Sequence, residues 1–343
     1  MRELTYIARR TVEWREAPDP TPESGLDAIV APVAATSCDV DFAILAGHGF
    51  LDPPFPIGHE CVAKVVQVGD AVTGVTPGDL VVVPWSISCG TCALCRAGLT
   101  AHCASVPHMA MYGAPIGGSW GGLFFDLVRV PWADAMLVPL PAGLDPVAMA
   151  SASDNWSLAW RLVAPHLDAR PGARVLVVAR GSIGLYVCDI AGALDAADVL
   201  YTIRTPGTGN SPRASGPAPP RRSNPSGTAS IWPWRPPAAS TSSAWLCRAS
   251  PPRAPASRPA PTSAPVSCPC STCTSPASPC ALPATTYAPT SPTPSNSPLS
   301  GKVGPGRVVS DVLDWEQLPY TLVGKHLKPV FARPLTAHHL PRD

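Results

Sequence analysis

Four cysteines fall within fifteen residues, Cys89, Cys92, Cys95 and Cys103, in the spacing C-x2-C-x2-C-x7-C. Thiolates two residues apart on a tight turn can reach one ion. The fourth returns through a short loop and closes a tetrahedron with zinc–sulfur distances of about 2.3 Å. Four sulfurs fill every position, so no water can be activated there and the chemistry is structural. The alternative for such a group is two disulfides or free thiols. A second constellation differs in kind. Gly58-His59-Glu60 follows Pro-Pro-Phe-Pro-Ile at the start of a strand-like run, and Cys38 lies upstream in Ala-Thr-Ser-Cys38-Asp-Val-Asp41. A neutral imidazole, a thiolate and one carboxylate around zinc leave the fourth position open to water or substrate. The residue types do not name that carboxylate, and a His-Glu pair by itself is also common as a structural element.

These groups need elements to hold them. Residues 1–150 read as β-rich. Short β-branched runs such as Cys61–Val68 and Leu80–Val83 are separated by turn signals, for example Thr76-Pro-Gly-Asp79. Residues 153–168 read as a helix with Ser153 or Asp154 as its N-cap and Leu158, Leu162 and Val163 as an apolar stripe. Arg174–Val178 is a short apolar strand that runs into Ala179-Arg-Gly-Ser-Ile-Gly184 and a helical pattern to about Leu194, with a second strand at Val199–Ile203. Strand, glycine turn, helix, strand is the opening of a βαβ unit. Ordered character returns at residues 301–310, and residues 311–330 read as a helix followed by a final strand, Lys328–Phe331.

Between them lies a different composition. Residues 205–300 hold 23 of the 45 prolines, seven Arg, no Asp, Glu or Lys, and five aliphatic side chains, while Pro, Ser, Thr and Ala make up 68 of the 96 positions. Such a segment cannot bury enough apolar surface to offset its ordering entropy, so disorder with polyproline-like character is expected. Cys268, Cys270, Cys273 and Cys280 within it lack turn glycines, and Trp232 and Trp234 lack a folded platform on which nucleic acid could stack. The formal net charge of +1 argues against a nucleic-acid partner. No apolar run is long enough to span a membrane. The charged N-terminus does not read as a signal peptide. Clustered thiols suit a reducing compartment, so the cytoplasm is expected.

On the four-cysteine lobe, the Gly-His-Glu and the upstream Cys-x-x-Asp, in this order, the sequence resembles the zinc-containing medium-chain alcohol dehydrogenases over about residues 1–204 and, more weakly, 301–334. The resemblance implies a GroES-like β domain with a Rossmann domain inserted before its last segment, hence an α/β fold. Its parts would be a zinc-binding catalytic domain at 1–150, the start of the nucleotide-binding domain at 151–204, the Pro-rich segment at 205–300, and a return to the catalytic domain at 301–343. It also implies two zinc ions per chain, NAD or NADP, and hydride transfer with a small alcohol or aldehyde. Carried over, Cys38 and His59 would bind the catalytic zinc. Glu60 would be the neighbouring carboxylate that can approach the metal, and Asp41 would orient the histidine. The third ligand position falls at Asp154, in a Ser-Asp that looks most like the glutathione-independent formaldehyde dehydrogenase branch. Its other reading is the helix N-cap. Val40 stands where many members place the hydroxyl that relays the proton, and His48 is a candidate substitute.

The expected G-x-G-x-x-G fingerprint reads here Ala179-x-Gly181-x-x-Gly184, so Gly181, Ser182, Ile183 and Gly184 are the cofactor-binding candidates. The acid that should hold the ribose is missing, with Ile203 and Arg204 near its place. A Rossmann sheet needs about six parallel strands, and the Pro-rich block replaces all but two. This points to a compensated reading-frame change between about residues 199–205 and 298–301, which would leave the dehydrogenase inactive in this chain. The contact through which the family dimerises would also fall in that block, so self-association loses its usual basis. The competing function is a non-enzymatic, zinc-stabilised β module carrying a Pro-rich interaction arm. Retranslation of the coding DNA of residues 205–300 in the other two frames is expected to restore strand–helix alternation with acidic residues in one of them. Two frames without that pattern would reject the frame change.

Overall fold

The computed structural model describes residues 1–48, 51–203, 302–324 and 326–334. The expectations for residues 205–300, including the second cysteine group, the two tryptophans and the altered frame, lie outside the described residues, as does Arg204.

The first part is built from β1 (Arg2–Ala8), β2 (Thr11–Glu16), β3 (Ala28–Thr36), β4 (Phe55–Pro56), β5 (Cys61–Val68), β6 (Leu80–Val83), β7 (Val128–Val130) and β8 (Val138–Pro139). Short helices α1 (Asp39–Leu45), α2 (Ala93–Arg96), α3 (Ala133–Met136) and α4 (Pro146–Met149) join them. Then come α5 (Asn155–Ala169), β9 (Arg174–Val178), α6 (Ser182–Ala193) and β10 (Asp198–Thr202). The C-terminal segment gives β11 (Asp311–Asp314), α7 (Leu318–Thr321) and β12 (Pro329–Ala332).

The main sheet runs β11-β12-β3-β5-β6-β8, with β7 also paired to β3. β3 is at its centre and is buried along nearly its whole length. Its register against β5 shifts between Pro32 and Ala34, as expected where proline removes a ladder donor from a central strand. One core gathers Leu4, Ile57, Tyr112, Phe124, Trp315 and Phe331 from both ends of the described chain. The residues read as a helix from 311 instead begin as β11, which pairs parallel to β12. Helix there is confined to Trp315–Gln317, a 3-10 turn capped by Asp314, and to α7. The polar-looking run Asp311–Asp314 is drawn into a strand because β12 offers it an open edge.

A second core lies between α5, α6 and the parallel pair β9–β10, with Val303 and Val308 closing it. Only these two strands occur in that sheet among the described residues. Leu176 and Val178 of β9 stay 55% and 61% exposed. A parallel strand is normally covered on both faces, so its apolar sequence is only half used. None of the described helices is long and apolar enough to cross a membrane.

A charged latch ties the termini together. Arg333 Nη1 donates to Asp126 Oδ1 at 2.6 Å, Arg2 N to Asp126 Oδ2 at 2.7 Å, and the Arg333 guanidinium lies 4.2 Å from the centre of the Trp315 ring. Burial pushes the Asp126 carboxyl up, but the Arg333 and Arg2 bonds outweigh it and hold the carboxyl below its ordinary value. A depressed carboxylate contributes stability above its unfolded pKa, near 4, and loses it as the pH falls through the folded value. Asp126→Asn is therefore expected to be less stable than the wild type in denaturant unfolding at pH 7, with the gap narrowing below about pH 4. A gap that does not change with pH would show that the latch is not electrostatic.

Candidate functional site

Cys38 ends the approach from β3 and is the N-cap of α1. The Asp41 side chain, one turn along, accepts the Cys38 backbone N–H at 2.8 Å through Oδ2, while its Oδ1 lies 3.3 Å from His59 Nδ1. One carboxylate therefore fixes the start of the helix that carries the thiol and the ring plane of the histidine. With Nδ1–H directed at Asp41, His59 Nε2 is left to face the site. His59 sits just before β5, after Gly58 at φ +95°. A Cβ on Gly58 would lie 2.5 Å from the Phe124 ring and 2.8 Å from its backbone nitrogen, so only glycine lets this turn pass the core.

Asp154 occupies the N-cap position of α5, yet its side chain makes no capping bond. Its Oδ2 lies 3.5 Å from His59 Nε2. One ligand atom from each of Cys38, His59, Glu60 and Asp154 lies within 4.8 Å of the others. Burial pushes the Cys38 thiol up to about 12, assisted by the Asp154 charge. For His59, burial opposes the charged form, but Asp41 and then Asp154 hold its pKa well above the ordinary value. Burial also pushes Asp154 up, and the bond and charge of His59 bring it below the usual carboxylate range. Two carboxylates, a thiol and an imidazole converging in a buried space are the donor set of a divalent cation. Such an ion stabilises the thiolate and the carboxylates at once.

Glu60 is held from behind. Lys328 Nζ donates to Glu60 Oε1 at 2.8 Å, to Oε2 at 2.9 Å and to the Ser37 carbonyl at 2.8 Å, with both side chains fully buried. The antiparallel register of β12 on β3, Val330 opposite Thr36, brings Lys328 to the level of Cys38. Sequence reasoning found the final strand but not this role for its lysine. The available signal was a lysine opening an otherwise apolar strand. Asn155 adds a second support. Its amide, in the orientation that satisfies its surroundings, donates to Asp154 Oδ2 at 3.0 Å and accepts from Lys328 Nζ at 2.8 Å and Ser182 Oγ at 2.9 Å.

The other metal candidate is complete in itself. Cys89, Cys92, Cys95 and Cys103 each offer a sulfur within 4.8 Å of the others, and they form no disulfide. Backbone N–H groups point at the sulfurs: Cys92 N to Cys89 Sγ at 3.4 Å, Cys89 N to Cys103 Sγ at 3.3 Å and Ala104 N to Cys92 Sγ at 3.4 Å. Burial raises the Cys89 thiol, but the hydroxyls of Ser105 and Thr91 and the N–H groups of Cys92 and Thr91 bring it down to about 5. Of the relay candidates, Val40 is 52% exposed and carries no hydroxyl. His48 is exposed beyond the far end of α1 from Cys38, so it is not brought to the site.

At the glycine turn, Gly181 has φ +77° and α6 begins at Ser182. A Cβ on Gly184 would lie 2.6 Å from the Ala179 Cβ and 2.9 Å from Tyr201, which is the close helix–strand approach the last glycine allows. The Asp39 carboxylate lies over Gly181, where a Cβ would meet its Oδ2.

The arrangement has counterparts. Residues 24–142 match the alcohol dehydrogenase GroES-like domain. A medium chain reductase/dehydrogenase of Acremonium sp. is 30% identical over 199 residues, 57% of this chain and 66% of that protein. A glutathione-independent formaldehyde dehydrogenase of Pseudomonas aeruginosa is 30% identical over 213 residues, 58% of this chain and 53% of that protein. The alcohol dehydrogenase TADH from Thermus sp. ATN1 superposes with a TM-score of 0.55 at 33% identity, covering 60% of this chain and 59% of that one. The described fold is thus a β-rich GroES-like domain followed by a strand–helix–strand unit with two parallel strands. Residues 24–142 are a GroES-like domain of the alcohol dehydrogenase type, and the chain is similar to zinc-type and medium-chain dehydrogenases. The chain spans about half to two thirds of the length of the curated relatives it matches.

Lys328 is expected to be the most sensitive structural position of the site. Lys328→Met leaves Glu60 buried without its partner and should cost about 3–5 kcal/mol in denaturant unfolding. The double variant Lys328→Met/Glu60→Gln should recover much of the loss. An unchanged unfolding midpoint for the single variant would contradict the pairing.

Proposed function

We propose that this chain is built as a zinc-dependent alcohol or aldehyde dehydrogenase. Residues 1–150 and 301–343 would form the catalytic domain, and residues 151–204 the start of the nucleotide domain. The observation that carries the reading is the convergence of Cys38, His59, Glu60 and Asp154 donor atoms within 4.8 Å. Cys38, His59 and Asp154 would hold one zinc ion, and Cys89, Cys92, Cys95 and Cys103 a second, sealed one. The first ion, when bound, supplies Lewis acidity toward an alcohol or aldehyde oxygen. A bound NAD or NADP supplies the hydride acceptor or donor.

The chain's own residues do the rest. Asp41 holds the His59 ring so that Nε2 faces the site. Lys328 keeps the Glu60 carboxylate drawn back, which leaves the open position to substrate. Asn155 fixes Asp154 against rotation about its side chain. No hydroxyl at residue 40 relays a proton, so the substrate proton leaves through water. The substrate class follows from an open position on a buried cation: a small molecule with one hydroxyl or carbonyl. A second reading, a zinc-stabilised β module without turnover, is favoured by one observation, the acidic side chain of Asp39 on the glycine turn.

Purified protein is expected to hold about two zinc ions per chain by elemental analysis. His59→Ala should lose about one of them and all reduction of the dinucleotide by short alcohols, followed by absorbance of the reduced nicotinamide. Metal-free protein, or zinc content unchanged in the variant, would reject the catalytic site. Full zinc with no dinucleotide binding would select the second reading.

A further inference from the structure

Asp39 is the first residue of α1 and follows Cys38 directly. Its carboxylate reaches across to the other core, where a Cβ built on Gly181 would meet Asp39 Oδ2 and lie 2.6 Å from its Oδ1. Ser182, the first residue of α6, follows Gly181 directly, and while burial raises the Asp39 carboxyl, the Ser182 backbone lowers it. α6 is 12 residues long, so its unpaired N-terminal N–H groups and its dipole favour an anion at this end. The charged and titratable groups that face Asp39 are Lys328 from the C-terminal segment, Asp41 from its own helix and Tyr201 from β10. The carboxylate therefore takes the space above Gly181, at the start of α6, that a dinucleotide pyrophosphate would require.

We propose that Asp39 is a built-in anion that occupies the pyrophosphate position of α6 and competes with dinucleotide binding. This rests on the dinucleotide part of the reading above. Two anions cannot share one helix terminus at hydrogen-bond distance without strong repulsion. For a dinucleotide to bind, Asp39 must leave Gly181, and it is anchored to the metal-site backbone through Cys38. The contact ties α1, and with it Cys38, to the Gly181 turn that opens α6. The glycine turn and the zinc site are then linked through adjacent residues, Cys38 facing one and Asp39 the other.

The test is a fluorescence titration of the zinc-loaded full chain with NADH, using the wild type, Asp39→Asn, Asp39→Gly and Asp39→Glu. Zinc content and circular dichroism establish that each variant is folded. Asp39→Asn keeps the shape without the charge and is expected to bind NADH about tenfold more tightly or better. Asp39→Gly should bind at least as tightly, because it also clears the space. Asp39→Glu keeps the charge and should gain nothing. Equal affinity in the wild type, Asn and Gly forms would overturn the competition while leaving dinucleotide binding intact. A gain by Glu equal to that of Asn would also overturn it, since charge would then be irrelevant. Absence of NADH binding in all four proteins would overturn both the competition and the dinucleotide reading, leaving the zinc module.

Discussion

A buried ammonium, Lys328, is the constraint around which the site is assembled. Desolvating a lysine and a glutamate together costs several kcal/mol per ion unless geometry and extra hydrogen bonds offset it. Here the Lys328 ammonium meets both oxygens of Glu60, the Ser37 carbonyl and the Asn155 side chain. Those partners lie just after β3, just before β5 and at the start of α5. The C-terminal strand must therefore be in register on β3 before the charges can be buried at all. The same register brings Phe331 against Phe124, so apolar packing and ion pairing demand one arrangement.

The two candidate metal groups illustrate opposite uses of the same chemistry. In the cysteine lobe four sulfurs lie within 4.8 Å of one another and backbone N–H groups stabilise them, so an ion there would be closed off and act as a staple. At Cys38, His59 and Asp154 the donors come from three separate elements, with Asp41 and Asn155 as their supports. Such a site is more expensive to organise, because each donor depends on long-range packing. It gains an open position that a local loop of four thiolates cannot offer.

The nucleotide side is less complete. β9 and β10 with α5 and α6 form a small core of their own, yet the apolar face of β9 is partly uncovered. The glycine turn has Gly181 at φ +77° at the start of α6, with the Asp39 carboxylate as its acidic neighbour.

Local spacing was enough to read much of this. The four cysteines, Gly58-His59-Glu60 and Cys38-x-x-Asp41 are short-range patterns whose geometry is set within a turn, and β5, β6 and β9 with α6 follow from β-branched runs and a glycine punctuation. Strand β11 was misread, because whether Asp311–Asp314 pairs depends on the open edge of β12 rather than on its own residues. Composition likewise set residues 205–300 apart. Tertiary structure alone decided three things: that Asp154 turns from the α5 terminus to His59, that Lys328 meets Glu60 across 268 residues of chain, and that Asp39 lies on Gly181. Each is a contact between elements distant in sequence, selected by sheet register and core packing, and no local pattern encodes such a pairing.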